Sequence, residues 1–151
     1  MFRYSKLVLL AIFFLHGCEQ NNDIAQLSAY PSFGSCAIDI PAHNATVSSD
    51  SEFTIAGWAF DEKNKTVPDT LTLNLINEKS SEIFTFPAKR GIERPDVAAA
   101  FKLPILVESG FSGVVTKNSL TPGDYRIVLL QGGRNAGVIS CGGESHRFTV
   151  H

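Results

Sequence analysis

The sequence predicts an all-β domain, an antiparallel β-sandwich of about seven short strands, and three observations carry that prediction. Leu71, Leu73 and Leu75 alternate with Thr72 and Asn74, the pattern of a strand lying between a core and water. The apolar segments are short and separated by turn formers, among them Pro41, Pro68-Asp69, Pro87 and Pro122-Gly123-Asp124. No run has the length and the 3.6-residue period of a substantial surface helix. Two faces of alternating strands bury each other in a sandwich, whereas a single sheet leaves one set wet. A barrel satisfies the same pattern and is the second choice.

In chain order, Cys36 to Ile40 is the first predicted strand, ended by Pro41. Ser51 to Asp61 is the second; around Phe53-Thr54-Ile55-Ala56-Gly57-Trp58-Ala59-Phe60 it is apolar on both faces, which places it centrally in a sheet. Asp61-Glu62-Lys63-Asn64-Lys65 turns the chain outward. Thr70 to Asn77, Glu82 to Phe86 and Phe111 to Val115 follow as strands. Pro122-Gly123-Asp124 then leads into Tyr125 to Gln131, where Tyr125, Ile127 and Leu129 share one side. His146 to Val150 is the last strand, with Phe148 and Val150 inward. A short helical turn is expected at Asp96 to Phe101, where Asp96 caps amides after Pro95. Trp58 is expected to cover much of the sandwich core, with Gly57 allowing close packing beside it.

The opening residues are organised as an export signal: Arg3 and Lys6 are basic, Leu7 to Leu15 are uninterruptedly apolar, and Gly17-Cys18 follows. That run is too short for a hydrocarbon core, which takes ~20 helical residues. Leu15-His16-Gly17-Cys18 resembles the bacterial lipobox, with His16 departing from the small or apolar residue usual at its position. The resemblance implies removal of residues 1–17 as a signal peptide and lipid on Cys18, hence a membrane as partner; several acyl chains together desorb slowly. Glu19, standing where Asp is associated with inner-membrane retention, favours the outer membrane of a bacterial envelope by the same resemblance. Residues 18–32 are then the lipidated terminus and a polar tether, unless Ile24, Leu27 and Tyr30 hold it down. The domain is residues 33–151.

Without the signal, 134 residues remain, enough for one core, with 11 basic against 15 acidic side chains and a formal charge of −4. That balance excludes an electrostatic nucleic-acid footprint, and Lys89, Arg90 and Arg94 make only a small basic patch. With Cys18 assigned to lipid, Cys36 and Cys141 form an even pair, and a disulfide is the economical reading in an oxidising compartment. Two free thiols or a metal pair are the alternatives, the latter weakened by the lack of a compact Cys/His cluster.

Gly57-Trp58-Ala59-Phe60-Asp61, Glu93-Arg94-Pro95-Asp96-Val97, Gly110-Phe111-Ser112-Gly113 and Leu120-Thr121-Pro122-Gly123-Asp124-Tyr125-Arg126-Ile127 together resemble an immunoglobulin-like module of bacterial surface and glycosyltransferase-associated proteins. The resemblance spans roughly Phe53 to Leu130 and implies a structural or recognition module rather than a catalytic one.

No reaction is legible. Ser140, Ser145 and His146 lack a Gly-x-Ser-x-Gly elbow, and His43, His146 and His151 lack metal-ligand spacing. Asp61, Glu62 and Asp69 are interrupted by Lys63 and Lys65, against a calcium loop. Gln131 to Gly137 lacks the Lys-Ser or Lys-Thr ending of a phosphate loop. No cofactor or metal is expected. The leading function is non-enzymatic recognition of an envelope protein or glycan, or support of a surface assembly. Its candidate surface is the connection from Pro87 to Gly110 with the loop from Gly132 to Gly137, and its candidate residues are Arg90, Arg94, Asp96, Arg134 and Asn135. Arg94 and Asp96 form a ligand clamp or, as the preferred reading, a rigid loop with Arg94 bonded to backbone. The alternatives are a periplasmic inhibitor of an envelope hydrolase and a weak carbohydrate or ester hydrolase, which requires a nucleophile or an acid-base pair in a concave site.

Overall fold

A computed structural model of the protein describes residues 24–133 and 136–151; the predicted signal peptide, Cys18, Arg134 and Asn135 lie outside the described residues. The chain begins with a short helix α1 (Ile24–Ala29) and continues through β1 (Gly34–Ile40), β2 (Ala45–Val47), β3 (Phe53–Asp61), β4 (Thr70–Asn77) and β5 (Ile83–Ile92). A second helix α2 (Pro95–Phe101) and a 3-10 helix (Pro104–Glu108) lead to β6 (Gly110–Val115), β7 (Gly123–Gly133) and β8 (Ala136–Val150).

The eight strands form one hydrogen-bonded sheet in the order β1-β3-β6-β5-β4-β7-β8-β2. It is curled so that the half β1-β3-β6-β5 faces the half β4-β7-β8-β2. Between them lies a core of Ile55, Ala59, Phe111 and Val115 from the first half and Leu71, Leu73, Leu75, Tyr125, Ile127, Leu129, Phe148 and Val150 from the second. Setting aside the short β2, four strands face three in the order of an immunoglobulin sandwich: first, second, fifth and fourth against third, sixth and seventh. The immunoglobulin-like fold class expected from the sequence is therefore the observed one. Two details differ from a simple two-sheet sandwich. The β4–β5 ladder makes the halves continuous along one side, and β2 runs parallel to β8.

The alternating residues behave as their period requires. Leu71, Leu73 and Leu75 are buried inward, while Ile76 and Val128, of opposite parity, meet Leu27 of α1 on the outer face. The described chain thus packs on the domain from Ile24, because Leu27, flanked by Ile24 and Tyr30, finds an apolar seat outside the sandwich. Tyr125 is fully buried at the start of β7, and its hydroxyl donates to the Thr121 carbonyl at 2.8 Å. That bond is the tyrosine corner of such sandwiches, and it fixes the Pro122-Gly123 bend.

Cys36 and Cys141 form a disulfide, joining β1 to β8. It closes the side of the sandwich opposite the β4–β5 ladder, where strands of the two halves are not laddered to each other.

Trp58 departs from expectation. Because β3 is apolar on both faces, the sequence does not say which set points inward. Ile55 and Ala59 take the core, and Trp58 and Phe60 take the outer face, under α2 and the 3-10 helix. There Trp58 stacks on Phe60 with centroids 5.9 Å apart, and Phe101 meets both edge-on. Gly57 serves backbone approach, since a Cβ there would collide with the Ala37 carbonyl oxygen of β1.

Candidate functional site

The strand directions sort the connections between two ends. One end gathers the segment entering β1 at Phe33, the β3–β4 connection, the β5–β6 connection carrying α2, and the β7–β8 hairpin. The other gathers the β2–β3, β4–β5 and β6–β7 connections and the C-terminus. An open groove of about 690 Å³ lies at the first end, lined among others by Phe33, Asp61, Lys63, Asn64, Asp69 and Val138.

Local bonding gives the groove its floor. Asp61 is buried, and its two carboxylate oxygens accept from Asn64, one from the backbone N–H at 3.0 Å and one from Nδ2 at 2.7 Å. This is an Asx-type turn, which confirms the outward turn read at residues 61–65 and leaves Asp61 committed to Asn64 rather than to a cation. Among the described residues, no group of three or more His, Cys, Asp or Glu side chains could hold a metal ion. Lys63 places its ammonium 4.6 Å from the centroid of the Phe33 ring, a cation–π contact at the rim. Phe33 is 44% exposed and Val138 40%, so the groove offers apolar surface beside one ammonium and the Asp69 carboxylate.

Of the candidate binding residues, the three that are described, Arg90, Arg94 and Asp96, do not converge on this groove. Arg90 points into the fold, where its guanidinium donates to the Pro68 carbonyl at 3.1 Å, the Ser109 carbonyl at 3.4 Å and Gln131 Oε1 at 3.2 Å. Burial pushes its pKa down to about 10, still well above neutrality, so it remains a charged strut. Arg94 bonds carboxylates, not backbone: Nε and Nη2 donate to Asp96 at 2.9 and 2.7 Å, and Nη1 donates to Asp39 of β1 at 2.6 Å. The bidentate Arg94 pair holds the Asp96 carboxyl well below its usual range, at about 2. Asp96 therefore spends both oxygens on Arg94, and the pair ties α2 to β1. Of the connection from Pro87 to Gly110, residues 87–92 belong to β5, and α2 and the 3-10 helix cover Trp58 and Phe60. Gly133 and Gly137 do line the groove. Phe33, Lys63 and Val138 have no signal in the sequence, because what unites them is a shared end of the sheet.

Ser140 and His146 are apart in role. Ser140 Oγ donates to the Tyr30 carbonyl at 3.3 Å, and His146 Nε2 lies 2.9 Å from the Pro41 carbonyl, to which it donates. His146 borders a slot of about 230 Å³ between β1 and β8, beside Cys36, Ile38, Ile127 and Leu129. Desolvation pushes its pKa below the ordinary 6.5; the Pro41 bond opposes the shift, and the charge of nearby His43, 5.5 Å away between ring centroids, adds to it. The unfolded chain therefore binds this proton at a higher pH than the folded one. Stability is fully present above pH 6.5 and declines as the pH falls toward the lowered folded value. A thermal-denaturation series from pH 8 to pH 5, run beside His146→Gln, should show a smaller acid loss in the variant. Equal slopes would show that His146 does not carry the effect.

The chain matches no known family model and no curated protein. Among the described residues, no helix is long and apolar enough to cross a membrane.

Proposed function

We propose that the chain is the precursor of a bacterial envelope lipoprotein, cut before Cys18 and anchored by lipid on that cysteine. Its immunoglobulin-like domain recognises an envelope protein or glycan without performing chemistry on it. The observation that carries the recognition reading is the groove where the β3–β4 connection, the β7–β8 hairpin and the entering chain meet, lined by exposed Phe33 and Val138 with Lys63 and Asp69 beside them. Loops held at one end of a rigid sandwich offer contacts without disturbing the core. The Cys36–Cys141 disulfide supports an exported destination, since such bonds persist outside the reducing cytosol. The lipobox-like Leu15-His16-Gly17-Cys18 supports the anchor, and Glu19 supports sorting to the outer membrane.

Two experiments test the two halves of this reading. Cys18→Ala abolishes acyl labelling and moves the protein out of the membrane fraction; retained labelling with unchanged fractionation defeats the anchor. Crosslinking and pull-down from intact cells, comparing the native chain with the triple variant Phe33→Ala, Lys63→Glu, Val138→Asp, should lose the specific partner in the variant. An unchanged partner set shows that the groove is not the recognition surface.

A further inference from the structure

The described chain enters the domain at one end of the sandwich and begins its first strand at the other. Ile24, the first described residue, borders a pocket with Asn77, Glu78, Ser81, Arg126 and Arg147, at the end of the β4–β5 turn. From there α1 crosses the outer face of β4 and β7, with Leu27 on Ile76 and Val128. It is followed by Tyr30 and Pro31, whose carbonyls accept from Ser140 Oγ and Ser140 N–H on β8. Phe33 and Gly34 then start β1 at the groove end, where Gly34 pairs with Asp61. The chain thus arrives at one end of the sandwich and traverses its length before the first strand begins.

Resting on lipidation of Cys18, we propose that the domain stands on its membrane by the β4–β5 end and holds the groove end away from it. From Cys18 to Ile24 the chain takes six residue steps, a reach of at most about 22 Å. Ile24 borders Arg126, and from Arg126 to Gly133 β7 rises seven residues, roughly 24 Å, toward the groove end. A domain standing on its groove end would need the tether at or past full extension, whereas one standing on the β4–β5 end would not. Charge does not do the positioning. The connections at 48–52, 78–82 and 116–122 carry Asp50, Glu52, Glu78 and Glu82 against Lys79 and Lys117, and Asp124, Arg126 and Arg147 lie beside them, so acidic and basic groups balance at this end and give no net attraction to anionic headgroups. Tether length sets the orientation, and added salt leaves it unchanged.

The test uses the full chain, processed and lipidated in cells and reconstituted into phosphatidylethanolamine–phosphatidylglycerol vesicles containing a lipid with a nitroxide on its headgroup. A fluorophore is attached at Lys79→Cys in the β4–β5 turn or at Glu62→Cys beside the groove, both exposed, with the native disulfide verified by mass. The label at 79 loses most of its fluorescence to the nitroxide and the label at 62 loses little, in low and in high salt. A flexible Gly/Ser insertion of about 20 residues after Glu19 removes the difference, because the domain then tumbles freely. If the protein floats with the vesicles but the labels are quenched equally or in reverse order, the orientation is overturned and the anchor stands. A difference that survives the insertion overturns the tether as its cause. Protein that does not float overturns the anchor, and the orientation with it.

Discussion

Exchanging Cys36 and Cys141 together for serine lowers the unfolding free energy by roughly 2–5 kcal/mol, the usual range for a native disulfide of this kind. The two cysteines are 105 residues apart, so in the unfolded chain the bond closes a loop spanning nearly the whole domain, and the loop-closure entropy it removes grows with that length. Its place adds a local effect. Along the β4–β5 side the two halves share a ladder, whereas on the β1–β8 side they are joined by the covalent bond and by bonds from the segments flanking β1, Tyr30 and Pro31 to Ser140 and Pro41 to His146. Amide exchange in the double variant therefore rises first in β1 and in β8 near Cys141, while the β4–β5 and β4–β7 ladders keep their protection. Urea denaturation of oxidised native chain and variant measures the stability. An unchanged midpoint and slope would mean that the seam holds without the bond.

Arg90→Met costs about 3 kcal/mol, and Arg94→Met costs less than about 1 kcal/mol. The two arginines look alike in the sequence, but their partners differ. Arg90 satisfies two carbonyls and the side chain of Gln131, which is fully buried and donates to the Phe60 carbonyl. Methionine preserves the stem and removes the guanidinium from the Pro68 carbonyl and Gln131 Oε1, the expensive case, while the Ser109 carbonyl keeps the Ala59 N–H at 3.0 Å. Arg94 forms good bidentate geometry, but Asp39 and Asp96 are half exposed or more, and water replaces the guanidinium when it is removed. Chemical denaturation of both variants compares them directly. Equal losses would show that the Arg90 acceptors find other donors.

The fold was largely readable wherever a period of two met an uneven surface. Thr70–Asn77 matches β4 at both ends, since Leu71, Leu73 and Leu75 have one possible side. Tyr125, Ile127 and Leu129 placed β7 for the same reason, although the strand extends past Gln131 to Gly133. What escaped depends on partners distant in sequence. β2 has three residues, and only its parallel pairing with β8 makes it a strand and the eighth of the sheet. The first half of β8 reads as an irregular glycine-rich connection, but it pairs with β7 through register shifts, with Gly142 at φ 97° beside one of them. Glu82 to Phe86 was expected to end at Pro87, yet β5 continues to Ile92. The site was less legible than the fold. Arginines and a glycine-rich loop signal binding by type, while burial decides whether such a side chain faces a partner or the interior.

The disulfide also governs how the domain bears load. Tension on the amino-terminal end first peels α1 from Ile76 and Val128, then frees Pro31 from Ser140, a sequence of small events each opposed by few contacts. At Cys36 the peeling meets a covalent stop that passes the force directly to β8, near the other end of the chain. When the opposing pull acts on the carboxyl-terminal end, the residues between the two cysteines, which contain most of the core, the buried arginine and most of the groove, are bypassed. The entering segment can yield under strain while the presented surface keeps its shape.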